Sequence, residues 1–277
     1  MARRTKKEIY AAHGITFEGG KILSPFGWIP PLMPIDSNGK IGDAATWSIY
    51  HGNETTPADA FGPKTRAVLE CAGLDSITGS CPCHCAGCYC DAHRYTWDTN
   101  KASNVLKLVF ARLYPDFMVA AIKAQIEADG ITQVRIHASG DFFSPEYVAA
   151  WVDIITSTPG VTYWAYTKYA PALAAFDALE NVSIVPSMTP AGINFGTCAE
   201  LLERRAELIA AGYRVHICAC GTPFQKKCAE CSTGCKAIGR ACDYVLFIKH
   251  STGGYRAGKH DAAEYAAVLA VVENQEN

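Results

Sequence analysis

Five cysteines fall between positions 81 and 90 of this 277-residue chain: Cys81, Cys83, Cys85, Cys88 and Cys90. Cys81, Cys85 and Cys88 have the spacing C-x3-C-x2-C. Three thiolates from one short loop can hold three irons of a cubane cluster and leave the fourth iron without a protein ligand. Such an open position separates a catalytic metal centre from a structural one. Zinc is the alternative, because Cys85-x2-Cys88 is also half of a zinc knuckle that His84, Cys83 or Cys90 would complete. A shifted set of Cys85, Cys88 and Cys90 competes for the same metal.

A second group runs Cys218-Ala-Cys220, Cys228-x2-Cys231-x3-Cys235 and Cys242. Within it Cys220, Cys228, Cys231 and Cys235 suffice for a four-thiolate site, either an auxiliary [4Fe-4S] cluster or a structural zinc. The two groups hold eleven of the thirteen cysteines. Disulfide frameworks belong to small secreted domains, so in a reducing compartment this clustering points to metal. Cys198, just ahead of the second group, reads as a buried thiol.

Other candidate residues are placed by the elements around them. The run Val134-Arg-Ile-His-Ala138 reads as a strand, and Ser144-Pro145 is an N-cap followed by proline at the first helical position. Ser139, Gly140 and Asp141 therefore form a turn at the carboxyl end of that strand, with Asp141 as a local cap or as an acid facing a cleft. Thr167 and Lys168 end the next strand, Val161–Tyr166, and Ser187 follows the one after it, Val182–Val185. His137, beside Ile136, reads as a satisfied core histidine.

Strands and helices alternate from Phe117 onward. Helices are expected at Phe117–Ala128, after Pro145, at Pro171–Leu179 and at Ala199–Ala211. Strands also follow at Arg214–Ile217 and Tyr244–Ile248, before a last helix bearing Tyr265, Leu269 and Val272. With a further strand near Trp47, this gives an α/β chain with six parallel strands, in a partial barrel or an open doubly wound sheet. Chemistry gathers at the carboxyl ends of the strands in both.

The chain is 49% hydrophobic and 19% charged, enough for one sizeable core. Its net charge of −2 gives no electrostatic argument for nucleic acid or membrane. The basic opening Ala2–Lys7 has no apolar stretch behind it, and no apolar run approaches a membrane span, so the cytoplasm is the expected compartment.

C-x3-C-x2-C ahead of βα units resembles the radical S-adenosylmethionine enzymes, although Gly87 stands where that family usually carries an aromatic. An ordered set of motifs is similar to poorly characterised radical-SAM-like iron–sulfur proteins encoded largely by bacteriophages, over about residues 38 to 250. These are Asn38-Gly-Lys40, Thr46-Trp-Ser48, Cys88-Tyr89, Arg135-Ile-His-Ala-Ser-Gly-Asp-Phe142, Tyr166-Thr-Lys168 and Cys228-x2-Cys231. The resemblance implies a partial (βα)6 TIM-like barrel with an N-terminal irregular/β segment (1–75) and a barrel (76–217) carrying the cluster loop 81–90. A cysteine-rich insertion (218–243) and a last strand and helix (244–277) complete it.

By the same resemblance, Cys81, Cys85 and Cys88 hold a catalytic [4Fe-4S] cluster whose open iron is chelated by S-adenosyl-L-methionine. Ser139, Gly140 and Asp141 stand where the family binds the methionine ammonium, with Tyr89, Thr167, Lys168 and Ser187 in the same cleft. Lys168 would meet the cofactor carboxylate, or is a solvated strand-end lysine. The implied activity is reductive cleavage to a 5′-deoxyadenosyl radical that modifies a small, nucleoside-like molecule, fed by an external donor such as flavodoxin or ferredoxin. The other reading is a non-catalytic zinc or iron–sulfur scaffold or electron carrier.

Overall fold

The structure, a computed structural model, describes residues 4–35, 44–82, 88–91, 93–189, 192–193, 195–218, 243–248 and 270. Helix α1 (Lys6–Ala12) opens on a capping box, in which Thr5 accepts from the Glu8 backbone and Glu8 answers the Thr5 backbone. An antiparallel sheet of β1 (Phe17–Glu18), β2 (Lys21–Ser24) and β3 (Gly27–Ile29) follows. Next come β4 (Ala45–Thr46), β5 (Thr55–Pro57), α2 (Pro63–Cys71) and β6 (Ser76–Thr78), with β5 and β6 antiparallel. Two long helices, α3 (Asp98–Leu113) and α4 (Pro115–Asp129), lead into the region that positions the site.

That region is β7 (Gln133–Ile136), α5 (Pro145–Ser157), β8 (Thr162–Thr167), α6 (Ala170–Phe176) and β9 (Val182–Pro186). Strands β4, β7, β8 and β9 form one parallel sheet in that order. Helices α3 to α6 pack in succession beside one another, a single layer rather than one on each face. Alternation along β8 shows what covers each side. Tyr163 and Ala165 enter the main core with Trp47, Phe110, Phe142 and Trp151. On the opposite face Trp164 meets Ala44, while Tyr166 packs with Val185, Cys218 and Val245.

The barrel expectation is corrected here. Closure would require β9 to continue its ladder into the next parallel strand. Instead the chain turns back through an antiparallel pair, β10 (Met188–Thr189) and β11 (Gly192–Ile193). The next elements are β12 (Phe195–Gly196), α7 (Cys198–Ala210), β13 (Val215–Cys218) and β14 (Tyr244–Ile248), whose strands form a separate parallel sheet in the order β12-β14-β13. Among the described residues the four-stranded sheet has two edges, β4 and β9, and the architecture is mixed α/β with several small sheets. No helix among them is long and apolar enough to cross a membrane. The expected helix bearing Tyr265, Leu269 and Val272 lies outside the described residues, apart from a helical Ala270.

Candidate functional site

The carboxyl ends of β7, β8 and β9 and the chain leaving β4 meet at one edge, and Ser80 and Cys81, where the first cysteine loop begins, are bonded to it. Strand β7 leaves through His137, which adopts a positive φ of 59°, and then Ala138 and Ser139. The Ser139 hydroxyl donates to the Ile49 carbonyl at 3.1 Å, and the Ile49 N–H donates back to the Ser139 carbonyl at 3.0 Å. Gly140 has φ 82°, and a Cβ there would sit 2.5 Å from Ile49 Cγ1 and 2.6 Å from Ser80 Oγ. The turn therefore requires glycine for both backbone angle and space.

Asp141 is 1% exposed. Its Oδ1 accepts from the Phe142 N–H at 2.8 Å and the Thr167 hydroxyl at 2.5 Å, and its Oδ2 accepts from the Lys168 N–H at 2.8 Å. The carboxylate thus ties the exit of β7 to the exit of β8, with most of its acceptor capacity used inside the protein. Burial raises its pKa, against those hydrogen bonds and the charge of Lys168. Thr167 also accepts from the Tyr169 N–H at 2.9 Å, and its carbonyl accepts from the Ser187 N–H at 2.7 Å, which links β9 to the same edge.

Ser80, which the sequence reading passed over, couples this turn to the cysteine loop. Its hydroxyl donates to the Tyr50 carbonyl at 2.8 Å and accepts from the Asp141 N–H at 3.1 Å. Its signal was its place immediately before Cys81. Arg112 of α3 donates to the carbonyls of Thr78 at 2.6 Å and Gly79 at 3.1 Å, and the Cys81 N–H donates to Gly52 at 2.8 Å. Beyond the loop, His51 Nε2 lies 3.1 Å from Asp91 Oδ1, and Tyr95 donates to the Ala138 carbonyl at 3.3 Å.

Cys81 and Cys88 are both partly covered and lie within electrostatic reach of each other and of Lys168. Burial first, and the Asp141 charge second, push the Cys81 thiol up to about 12. Hydrogen bonding from Cys90 brings Cys88 down to about 6, against burial and the charge of Asp91. Soft metal centres are held by thiolates, so the lowering of Cys88 suits one while the raising of Cys81 opposes it.

Cys85, Cys83 and His84 lie outside the described residues, as do Cys220, Cys228, Cys231, Cys235 and Cys242 and the side chain of Tyr89. Cys218 ends β13 buried, and Cys198 is buried as expected. His137 is buried too, with Nε2 2.9 Å from the Tyr147 hydroxyl, but its Nδ1 has no partner and burial lowers its pKa to about 3. Among the described residues no three His, Cys, Asp or Glu side chains form a group that could hold a metal ion.

The sequence profile of the family described as Gene product 88 matches residues 36–217, which is 182 of the 277 positions. The chain is 35% identical to the Gene 88 protein of Mycobacterium phage L5 over 115 residues, 40% of this chain and 44% of that one. It is 41% identical to the Gene 88 protein of Mycobacterium phage D29 over 78 residues, 27% of this chain and 31% of that one. The chain thus spans less than half the length of either relative. No solved structure matches it.

These matches correct the resemblance to radical S-adenosylmethionine enzymes. Kinship runs to phage Gene 88 proteins, and no radical-SAM or iron–sulfur family supports the description of the chain as iron–sulfur or metal-binding. The motifs behind that resemblance are short, and the Ser-Gly-Asp turn has a structural explanation of its own. The matched region contains the first cysteine loop, Asp141 and Lys168, and ends at residue 217, before the second cysteine group.

Proposed function

The chain belongs to the Gene product 88 family, and from the residues rather than from that kinship we propose that it is an enzyme working at the carboxyl edge of the four-stranded sheet. The proposed reaction is reductive cleavage of S-adenosylmethionine at a [4Fe-4S] cluster, to modify a small molecule. The cluster ligands in this reading are Cys81 and Cys88, with Cys85 from outside the described residues. One observation carries it: two thiols of a C-x3-C-x2-C loop share a single edge with the buried Asp141 and with Lys168. When bound, the cluster would supply one electron to the sulfonium.

The chain's own residues have the positioning roles. Ser80 and Gly140 hold the cysteine loop and the Asp141 turn in register. Asp141 fixes the exits of β7 and β8 and keeps negative charge beside the thiols, while Lys168 offers a cation to a ligand carboxylate. An auxiliary cluster or zinc on Cys220, Cys228, Cys231 and Cys235 and an electron donor such as flavodoxin or ferredoxin belong to the same proposal.

A second reading has its own support. The Asp141 carboxylate is taken up by three protein donors, which suits a non-catalytic metal scaffold and leaves little of it for a cofactor ammonium. One experiment separates the two. Anaerobically reconstituted protein, reduced with dithionite and given S-adenosylmethionine, is expected to bind about four irons per cluster and to release 5′-deoxyadenosine. Zinc as the sole metal, or intact clusters with none of that product, overturns the enzyme reading.

A further inference from the structure

A cavity of about 510 Å³ opens beside the N-terminal segment, and none of its lining residues belongs to the cysteine edge. Its walls include Tyr10 of α1, Met33 and Pro34 from the chain after β3, Lys107 of α3, and Gln125 and Asp129 of α4. Two of these bring polar groups that no hydrogen bond among the described residues answers. The Tyr10 hydroxyl is buried with no hydrogen-bond partner, its ring stacked 4.7 Å from that of Phe17. Lys107 is 6% exposed, and burial alone sets its acidity, with no carboxylate acting on it. Its ammonium lies 5.7 Å from the centroid of the Trp47 ring and makes no hydrogen bond or ion pair among the described residues.

The polar neighbours that could have served these groups are engaged elsewhere. Asp129 accepts from Lys6 Nζ at 2.6 Å. Gln125 accepts from the Met33 N–H at 2.9 Å and donates to the Met33 carbonyl at 2.7 Å. A buried ammonium without a counter-charge is costly, and a buried phenol without an acceptor adds to the cost. A buried ammonium therefore lines a largely apolar cavity whose one carboxylate, Asp129, is bound to Lys6 rather than to Lys107.

We propose that this cavity binds a small organic carboxylate, whose oxygens accept from Lys107 and whose apolar body lies along Phe17, Pro31 and Met33. A carboxylate fits better than a phosphate because its apolar body matches the largely apolar walls, while Lys6, the other cation of the lining, is already held by Asp129. The site stands independently of the proposed reaction.

Titration of the full chain followed by tryptophan fluorescence tests it, because Trp47 lies beside the ammonium. The probes are benzoate and hexanoate, against the uncharged benzamide. Either carboxylate is expected to bind saturably, with benzamide about tenfold weaker or more. Lys107→Met should weaken carboxylate binding by about tenfold or more, while Tyr10→Phe, which removes a hydroxyl closed off from the cavity, should leave it unchanged. The inference is overturned if neither carboxylate saturates up to roughly 20 mM, if benzamide binds as well as benzoate, or if Lys107→Met binds like the parent chain.

Discussion

Lys107 interrupts a run that is otherwise apolar, Val105 to Phe110, and all but Leu106 of those residues are buried. Burial lowers its pKa from the ordinary 10.5 to about 8. Below pH 8 the folded chain must therefore hold a proton where it is disfavoured, while the unfolded chain keeps that proton up to about 10.5. Lys107→Met is expected to stabilise the ligand-free protein by about 3 kcal/mol at pH 7. The gain should shrink from pH 8 upward and vanish near 10.5, as urea unfolding across that range would show. An equal gain at every pH would mean that burial does not shift the lysine, which then stays charged in the fold as in the unfolded chain. Its role escaped the sequence reading because a lone lysine in a helix is ordinarily a solvated one; the signal was its apolar neighbours on both sides. Asp141 was the reverse case. Its position after a strand was legible, but no spacing in the sequence announced that Thr167 and Lys168, 26 and 27 residues later, would occupy its oxygens.

At the scale of elements, the turn after β7 behaves as a single joint made from Ile49, Ser80, Gly140 and Asp141. Gly140→Ala places a methyl against Ile49 and Ser80 at a left-handed backbone angle. We expect a loss of about 2–5 kcal/mol in chemical denaturation, combining the backbone penalty with overpacking. A loss under 1 kcal/mol (roughly the cost of a well-tolerated core swap) would mean that the joint yields. Strands β7, β8, β9, β13 and β14 were readable in the sequence because β-branched and aromatic runs bounded by turn residues have few other homes. The Ser144-Pro145 start of α5 was readable for the same local reason, and Ser144 does accept from the Tyr147 N–H. Helices α1, α2 and α3 were missed. The Thr5/Glu8 capping box marks α1, whereas α3 starts at Asp98 without a side-chain cap on Trp97.

For the whole molecule, pairing was the part that local pattern did not carry. Which strand follows β9 in the ladder depends on a two-residue hairpin and on Phe195–Gly196, segments too short to leave a period in the sequence. The result is one large core and a small one around Leu201, Leu208, Ile217 and Leu246. Hydrogen exchange should follow that division, with amides of β7 and β8 slowest and those of β13 and β14 opening at lower free energy. Equal protection in both sheets would show that they open as one unit. The order of strands also sets a sequence of assembly. Val134 meets Tyr163 across 29 residues and Tyr163 meets Val182 across 19, but Ala45 must wait for Val134, 89 residues further on. Longer closures cost more entropy and slow folding. Strand β4 is thus expected to dock last, and Ser80, bonded to the Tyr50 carbonyl just after β4, to settle with it. If a metal centre binds at that loop, this order of assembly would load it after the main sheet has formed.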